Sequence, residues 1–320
     1  MDYGPALNKW LPAAGAASAS AVLFFSGFFA FVFAIPIQII LVRRGNRYGA
    51  VTALLLIGLI FVGRVIQVSG LGPLSPDLVK FLILDSLLPA GIVLALLGYS
   101  FGRRYLLWSL RLPAVAAVAL VFALPAVHEI VTPGRLEELF SGDFGAMFFG
   151  LDSQGSSAWL ADQVALVLRN TIGVAMLSTI AANWWIGTSF AGLRANRMPV
   201  MGLHRAFVDD RVIWALIAGF GLIVFEWIFG IGNIWSAIGW NLALCAAFLF
   251  GVQGLGIIQH ELLRRGVSPS VLRWTLTAVA VAVVVPGINV LVIGGLPLLG
   301  ASEIWVNFRR RGTDESNPES

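Results

Sequence analysis

Between Phe33 and Phe61 the chain reads FAIPIQIILVRRGNRYGAVTALLLIGLIF, with Arg43, Arg44 and Arg47 grouped around Gly45. Two apolar runs flank this short basic turn. The second, about 48–66, is long enough at 1.5 Å per residue to cross a hydrocarbon core of about 30 Å. Arginines collected in a turn between two such runs mark the cytoplasmic side of a membrane, because short loops that stay inside carry the excess of Lys and Arg.

The composition extends this reading to the whole chain. The 320 residues are 58% hydrophobic and 12% charged, whereas a soluble domain carries about 25% charged residues. Apolar segments recur at about 20–42, 48–66, 78–99, 110–130, 160–187, 211–232, 236–262 and 271–295. They predict an all-α, polytopic membrane helix bundle of about eight spans, within a range of seven to ten. A single transmembrane domain is expected over 1–311, followed by a polar, disordered tail over 312–320. The small residues of AAGAASASA precede the first apolar run instead of following it, so no cleavable signal peptide is expected.

The charges between segments alternate in kind. Arg43, Arg44, Arg47, Arg103, Arg104, Arg111, Arg194, Arg197, Arg205, Arg211, Arg264, Arg265 and Arg273 supply 13 of the 21 basic residues, all on one side of the scheme. The opposite loops hold Arg135 alone, beside Glu137, Glu138, Asp143 and Asp152. The net charge of +4 is thus a topology signal, and nucleic acid is not expected as a partner. A bacterial inner-membrane location with the arginine loops cytoplasmic follows.

Both ends strain this scheme. Eight spans place both termini outside, yet Arg309, Arg310 and Arg311 belong inside. The stretch from Val271 to Phe308 is too long for one span and is interrupted at Pro286–Gly287; two short spans or a re-entrant hairpin would return the tail inside. The stretch from Pro5 to Val42 is similarly long, with Ser26–Gly27 as its break.

Among the ionisable residues within apolar segments, Arg64, Lys80, Asp85, Arg169 and Glu226 stand out. Such residues are costly in lipid and face the bundle interior, a water-filled cavity or one another. Arg64 and Lys80 are close enough to helix ends to snorkel. Asp85, Arg169 and Glu226 are expected in the external half, with Arg169 pairing Glu226 or, failing that, Asp85. That cluster reads as an ion pair fixing helix register, as a ligand site open to the outside, or as a proton or ion path. The apolar run FGAMFFGL in the acidic loop reads as an interfacial segment. Ala13, Ala17 and Ala21 repeat at the four-residue spacing that lets helices approach closely, so a membrane partner protein could dock there.

Catalytic signatures are missing from the sequence. There is no phosphate-cradling glycine loop followed by lysine and no serine in a nucleophile elbow. His128, His204 and His260 fall on separate segments, and the single cysteine, Cys245, excludes an intrachain disulfide and a cysteine metal site. No enzymatic activity, cofactor or metal is expected.

With its proline in an apolar helix, basic-glycine turn and small-residue helix, the 33–61 stretch resembles a known pattern. LILDSLLPAGIVLALLG, FLFGVQGLGIIQHELLRRGVSPSVLRW and LPLLGASEIWVNFRRR continue it. Together they resemble the YybS-like family of uncharacterised bacterial membrane proteins, distantly similar to the substrate-binding S components of energy-coupling-factor transporters. The resemblance implies an externally open site for a small molecule and a small-residue helix facing a transporter partner. Glu303 and Asn307 stand near positions where that family carries aspartates, and no catalytic residue transfers. The other function class open to such a chain is a non-transporting scaffold for envelope assembly or division.

Overall fold

The computed structural model describes residues 4–69, 76–101, 107–131, 136, 154–194, 202–230, 232–283 and 285–309. These form ten α-helices and two short 3-10 turns, with no strand among the described residues. The helices are α1 (Gly4–Phe25), α2 (Ile35–Arg44), α3 (Asn46–Ser69), α4 (Pro76–Phe101), α5 (Trp108–Val131), α6 (Gln154–Arg194), α7 (Val212–Phe229), α8 (Asn233–Arg264), α9 (Pro269–Ala282) and α10 (Ile288–Val306). Seven of them, α3 to α8 and α10, are long and apolar enough to cross a membrane. The chain is an all-α polytopic membrane protein. The interfacial run in the acidic loop and the polar tail lie outside the described residues.

Two compact units divide the chain: 1–106 with 111–198, and 107–110 with 199–320. In the first, α1 packs along α3 and α2, α2 and α4 pack on α6, and α4 packs on α5. Trp10 stacks on Tyr48 at 4.8 Å. A Cβ on Gly63 would strike the Phe25 ring. α1 therefore runs parallel to α3, and starts at the arginine turn. Leu41 lies against Gly49, 2.6 Å from where a Cβ would stand, so α2 runs back toward that same turn.

This arrangement corrects the first segment. Residues 20–42 are not one span; α1 ends at Phe25 and the chain returns through an irregular stretch into the half-length α2. Ser26–Gly27 is the break, with Gly27 at φ +69°, a conformation that L side chains rarely adopt. Opening a helix in lipid exposes N–H and C=O groups that water cannot satisfy, at several kcal/mol each. Ser26 answers locally: its Oγ donates to Leu23 O at 2.6 Å and accepts from Phe29 N at 3.1 Å. A 3-10 turn over Ala30–Val32 carries the chain to Ala34, and Pro36 in the first turn of α2 removes a donor that would have had no helical acceptor.

The stripe of Ala13, Ala17 and Ala21 is also corrected. All three are buried, because α1 lays this face on its own neighbours. Small side chains here allow close packing within the chain, and the face is not open to a partner protein.

In the second unit α7 and α8 form an antiparallel hairpin around Gly230 and Gly232. They approach closely enough that a Cβ on Gly219 would stand 2.6 Å from Ala243 N. α10 packs on α8 through Gly254 and Gly300, where a Cβ on either would strike backbone of the opposite helix, at Leu296 O and Phe250 O; Gln253 beside Glu303 and Gly256 beside Arg309 show that the two run parallel. α9 has 14 residues, about 21 Å, and cannot cross the core. The chain reverses at Pro286–Gly287, where Gly287 takes φ +87° and donates its N–H to Asn289 Oδ1 at 3.1 Å. The segment drawn at 271–295 is thus a hairpin, and parallel packing on α8 brings α10 to the end that bears Arg264 and Arg265.

Side-specific labelling tests both hairpins in a Cys245→Ser background. Lys9→Cys and Arg44→Cys should label from one side and Gln67→Cys from the other; Arg265→Cys and Phe308→Cys should share a side. Lys9→Cys labelling together with Gln67→Cys would show α1 to run the opposite way.

Candidate functional site

Polar groups gather at three places. The first is the arginine-poor end of the first unit, where Arg64 Nε lies 2.6 Å from Asp85 Oδ2. The guanidinium also sits over the rings of Phe24 and Phe25, at 5.4 and 5.7 Å, within the range of cation–π attraction. Lys80 Nζ lies 2.8 Å from Glu129 Oε2. Asp85 is thus held by Arg64, from the adjacent α3. Both side chains of the Arg64–Asp85 pair remain about 30% exposed (31% and 30%).

Arg169 and Glu226 are shallower than the hydropathy segments imply. α6 is 41 residues long, and its arginine end is fixed where Arg43 donates to the carbonyls of Phe190 and Ala191. Arg169 stands 25 residues before Arg194, about 37 Å along the axis. Even with the usual tilt of about 20°, that distance exceeds the hydrocarbon thickness. Arg169 is half-buried. Glu226 belongs to the second unit, in the last turn of α7, where its carbonyl accepts from Gly230 N at 2.7 Å.

The second place is the helix break. Asn183 on α6 is fully buried and answers the freed backbone directly. Its Oδ1 accepts from Ala34 N at 2.9 Å, and its Nδ2 donates to Phe31 O at 2.7 Å. One turn toward the arginine end, Gly187 brings the α6 backbone against the stem of Gln38: a Cβ there would stand 2.5 Å from Gln38 Cβ. Gln38 is 0% exposed, and neither its Nε2 nor its Oε1 has a hydrogen-bond partner among the described residues. A buried amide left this way costs about 1–3 kcal/mol for each group.

The third place closes the arginine end of the second unit. Arg309 Nε donates to Glu303 Oε1 at 2.7 Å and its Nη2 to Oε2. Its Nη1 donates to His204 O at 2.9 Å and Ala206 O at 3.1 Å, and the guanidinium stacks on Phe207 at 3.8 Å. Gln253 accepts from Val208 N at 2.6 Å and donates to Gly300 O at 3.1 Å. Gln259 accepts from His204 N at 2.7 Å. The 203–208 segment is thereby stitched to α8 and α10, with the buried Arg309 and Glu303 each holding the other. Burial, then the charge of Arg205, lowers the His204 pKa below the ordinary imidazole value.

Of the five candidate residues, the structure brings Arg64 and Asp85 together and gives Lys80 to Glu129. Gln38, Gln253, Gln259, Glu303 and Arg309 were not among them. Their signal was an amide or acid inside an apolar run, and for Arg309 a basic residue just past its end. No group of three or more metal-ligating side chains occurs among the described residues.

Breaking the enclosed pair leaves one ion buried and alone, at a typical cost of about 3–5 kcal/mol. Glu303→Ala and Arg309→Ala should each lower the denaturation midpoint of the detergent-solubilised protein strongly, and the double variant should lose less than their sum. Arg64→Ala, with its pair partly solvated, should cost about 1 kcal/mol or less. Simple additivity of the Glu303 and Arg309 losses would show that they do not act as a pair. The lowered His204 pKa means that unfolding takes up a proton, so stability should fall as pH drops below about 6.5. His204→Gln should flatten that part of the pH–stability curve.

Comparison of the chain with protein families, with curated proteins and with solved structures finds no match.

Proposed function

We propose that this chain is a membrane-embedded binding protein for a small polar molecule, held within the first unit at the helix break. One observation carries the reading: the Gln38 amide is wholly enclosed, yet its donor and acceptor have no partner among the described residues. The neighbouring Asn183 is fully engaged, so of the two amides packed at the break it is Gln38 whose polarity goes unanswered. Broken helices are where membrane transporters build binding sites, because irregular backbone is tolerated at depth only where it lines a cavity or is buried in protein. A carboxamide that offers one donor face and one acceptor face fits an uncharged hydrogen-bonding group, such as an amide, a hydroxyl or a heterocyclic nitrogen.

Entry is from the arginine-poor side, where the chain between α1 and α2 is non-helical and the Arg64–Asp85 and Lys80–Glu129 pairs provide polar groups. By the distribution of arginines this is the outer side of a bacterial inner membrane. The reading agrees with the resemblance to the YybS-like family and to the S components of energy-coupling-factor transporters. The role is binding, in a transport context, and not catalysis.

The test is native mass spectrometry of the solubilised protein, with Gln38→Leu as the variant. Leucine fills a similar volume without unmet polar groups, so the variant should fold and melt no lower than the parent. The parent should retain a bound small molecule that the variant lacks. A parent free of any bound molecule, or a variant that keeps it, removes this reading in favour of a scaffold.

A further inference from the structure

Arg111 lies away from the break and plays no part in the proposed binding site. It is 7% exposed, and its guanidinium carbon stands 3.9 Å from the centre of the Tyr99 ring. Tyr99 is itself 2% exposed and is held edge-on by Trp184 at 5.1 Å. The stack accounts for one face of the guanidinium. Its in-plane N–H groups are another matter: Nε is enclosed and has no acceptor among the described residues. No carboxylate pairs with Arg111 among the described residues; the described ion pairs engage Arg64, Lys80, Arg264, Arg265 and Arg309.

The contrast with Arg309 defines the anomaly. Both guanidiniums are nearly buried and both stack on an aromatic ring, but Arg309 spends its edge on Glu303 and two carbonyls, and Arg111 has no such partner among the described residues. Arginine keeps its charge under all ordinary conditions. Cation–π attraction of about 2 kcal/mol for a desolvated pair does not offset several kcal/mol for taking an ion out of water. The missing term is an anion in the guanidinium plane. Arg111 sits in the first turn of α5, at the arginine-bearing end, where the phosphates of the bilayer lie. A guanidinium edge binds a phosphate through parallel charge-assisted hydrogen bonds.

We infer that Arg111, backed by Tyr99, is a binding site for a phosphate group, carried by a phospholipid headgroup or free in solution. The full chain in detergent is titrated with phosphatidylglycerol, with a neutral galactolipid of matched acyl chains and with inorganic phosphate, and melting is followed. Phosphatidylglycerol should raise the melting temperature saturably and the galactolipid should not. Inorganic phosphate acting alike would identify a soluble phosphate as the source and leave the site in place. Arg111→Gln should weaken the phosphate response roughly tenfold or more, whereas Arg47→Gln, an exposed arginine of the same end, should keep it. Native mass spectrometry of the unmodified chain gives a second readout that needs no variant: phosphatidylglycerol should be retained in preference to the galactolipid. Equal retention or equal stabilisation by the two lipids, no response to any phosphate, or an undiminished response in Arg111→Gln would each overturn the site.

Discussion

A helix cannot simply stop inside a bilayer, and the first unit is organised around that constraint. Each backbone N–H or C=O released between α1 and α2 needs an acceptor or donor from protein, since lipid offers neither. Asn183 supplies both from one side chain, reaching Ala34 and Phe31 from α6. The consequences spread outward. α6 must lie beside the break, Gly187 must be small enough for α2 to rest on it, and the α2 half-helix is then fixed with Gln38 enclosed. Removing the Asn183 amide would leave two backbone groups unmet at once.

The second unit meets a related demand at its edge. Glycines 254 and 300 draw α8 and α10 into backbone contact, which leaves no room for large side chains between them. The end of that pair is sealed by polar contacts instead. Gln253, Glu303 and Arg309 form a closed set in which each buried charge has its partner, and their spare donors and acceptors hold the 203–208 segment down. A cation in the last turns of a helix also sits well against the negative end of the helix dipole, and Arg309 folds back onto the terminus of α10.

Much of this fold was legible in the residues. Hydropathy identifies the long helices because lipid exposure acts on every side chain of a span and sums over about 20 positions. Both hairpin breaks were legible too, since Ser26–Gly27 and Pro286–Gly287 combine residues that leave helical geometry at little cost. Helix direction at the ends was not, because it rests on single contacts such as Trp10 with Tyr48. Pairing was equally hidden: a sequence shows that Asp85 needs a cation but not that Arg64 supplies it. The length of α6 misled the reading of depth, since apolar composition continues past the membrane boundary. Uncharged amides were the hardest to see. Gln38 satisfied and Gln38 unsatisfied look the same in a string of letters.

The shortness of α9 has a consequence for how the chain enters the membrane. A 14-residue helix spans about 21 Å and, inserted alone, would strand its unpaired terminal carbonyls in hydrocarbon. It becomes stable at depth only once the Pro286–Gly287 turn and α10 have followed it. The last two helices must therefore partition as one unit, late, after the α8 surface that receives α10 is in place. The same glycines that let α8 and α10 touch thus set an order of assembly: the receiving helix first, the closing hairpin second, and the Arg309 clamp, which cannot form until both have arrived, as the final step.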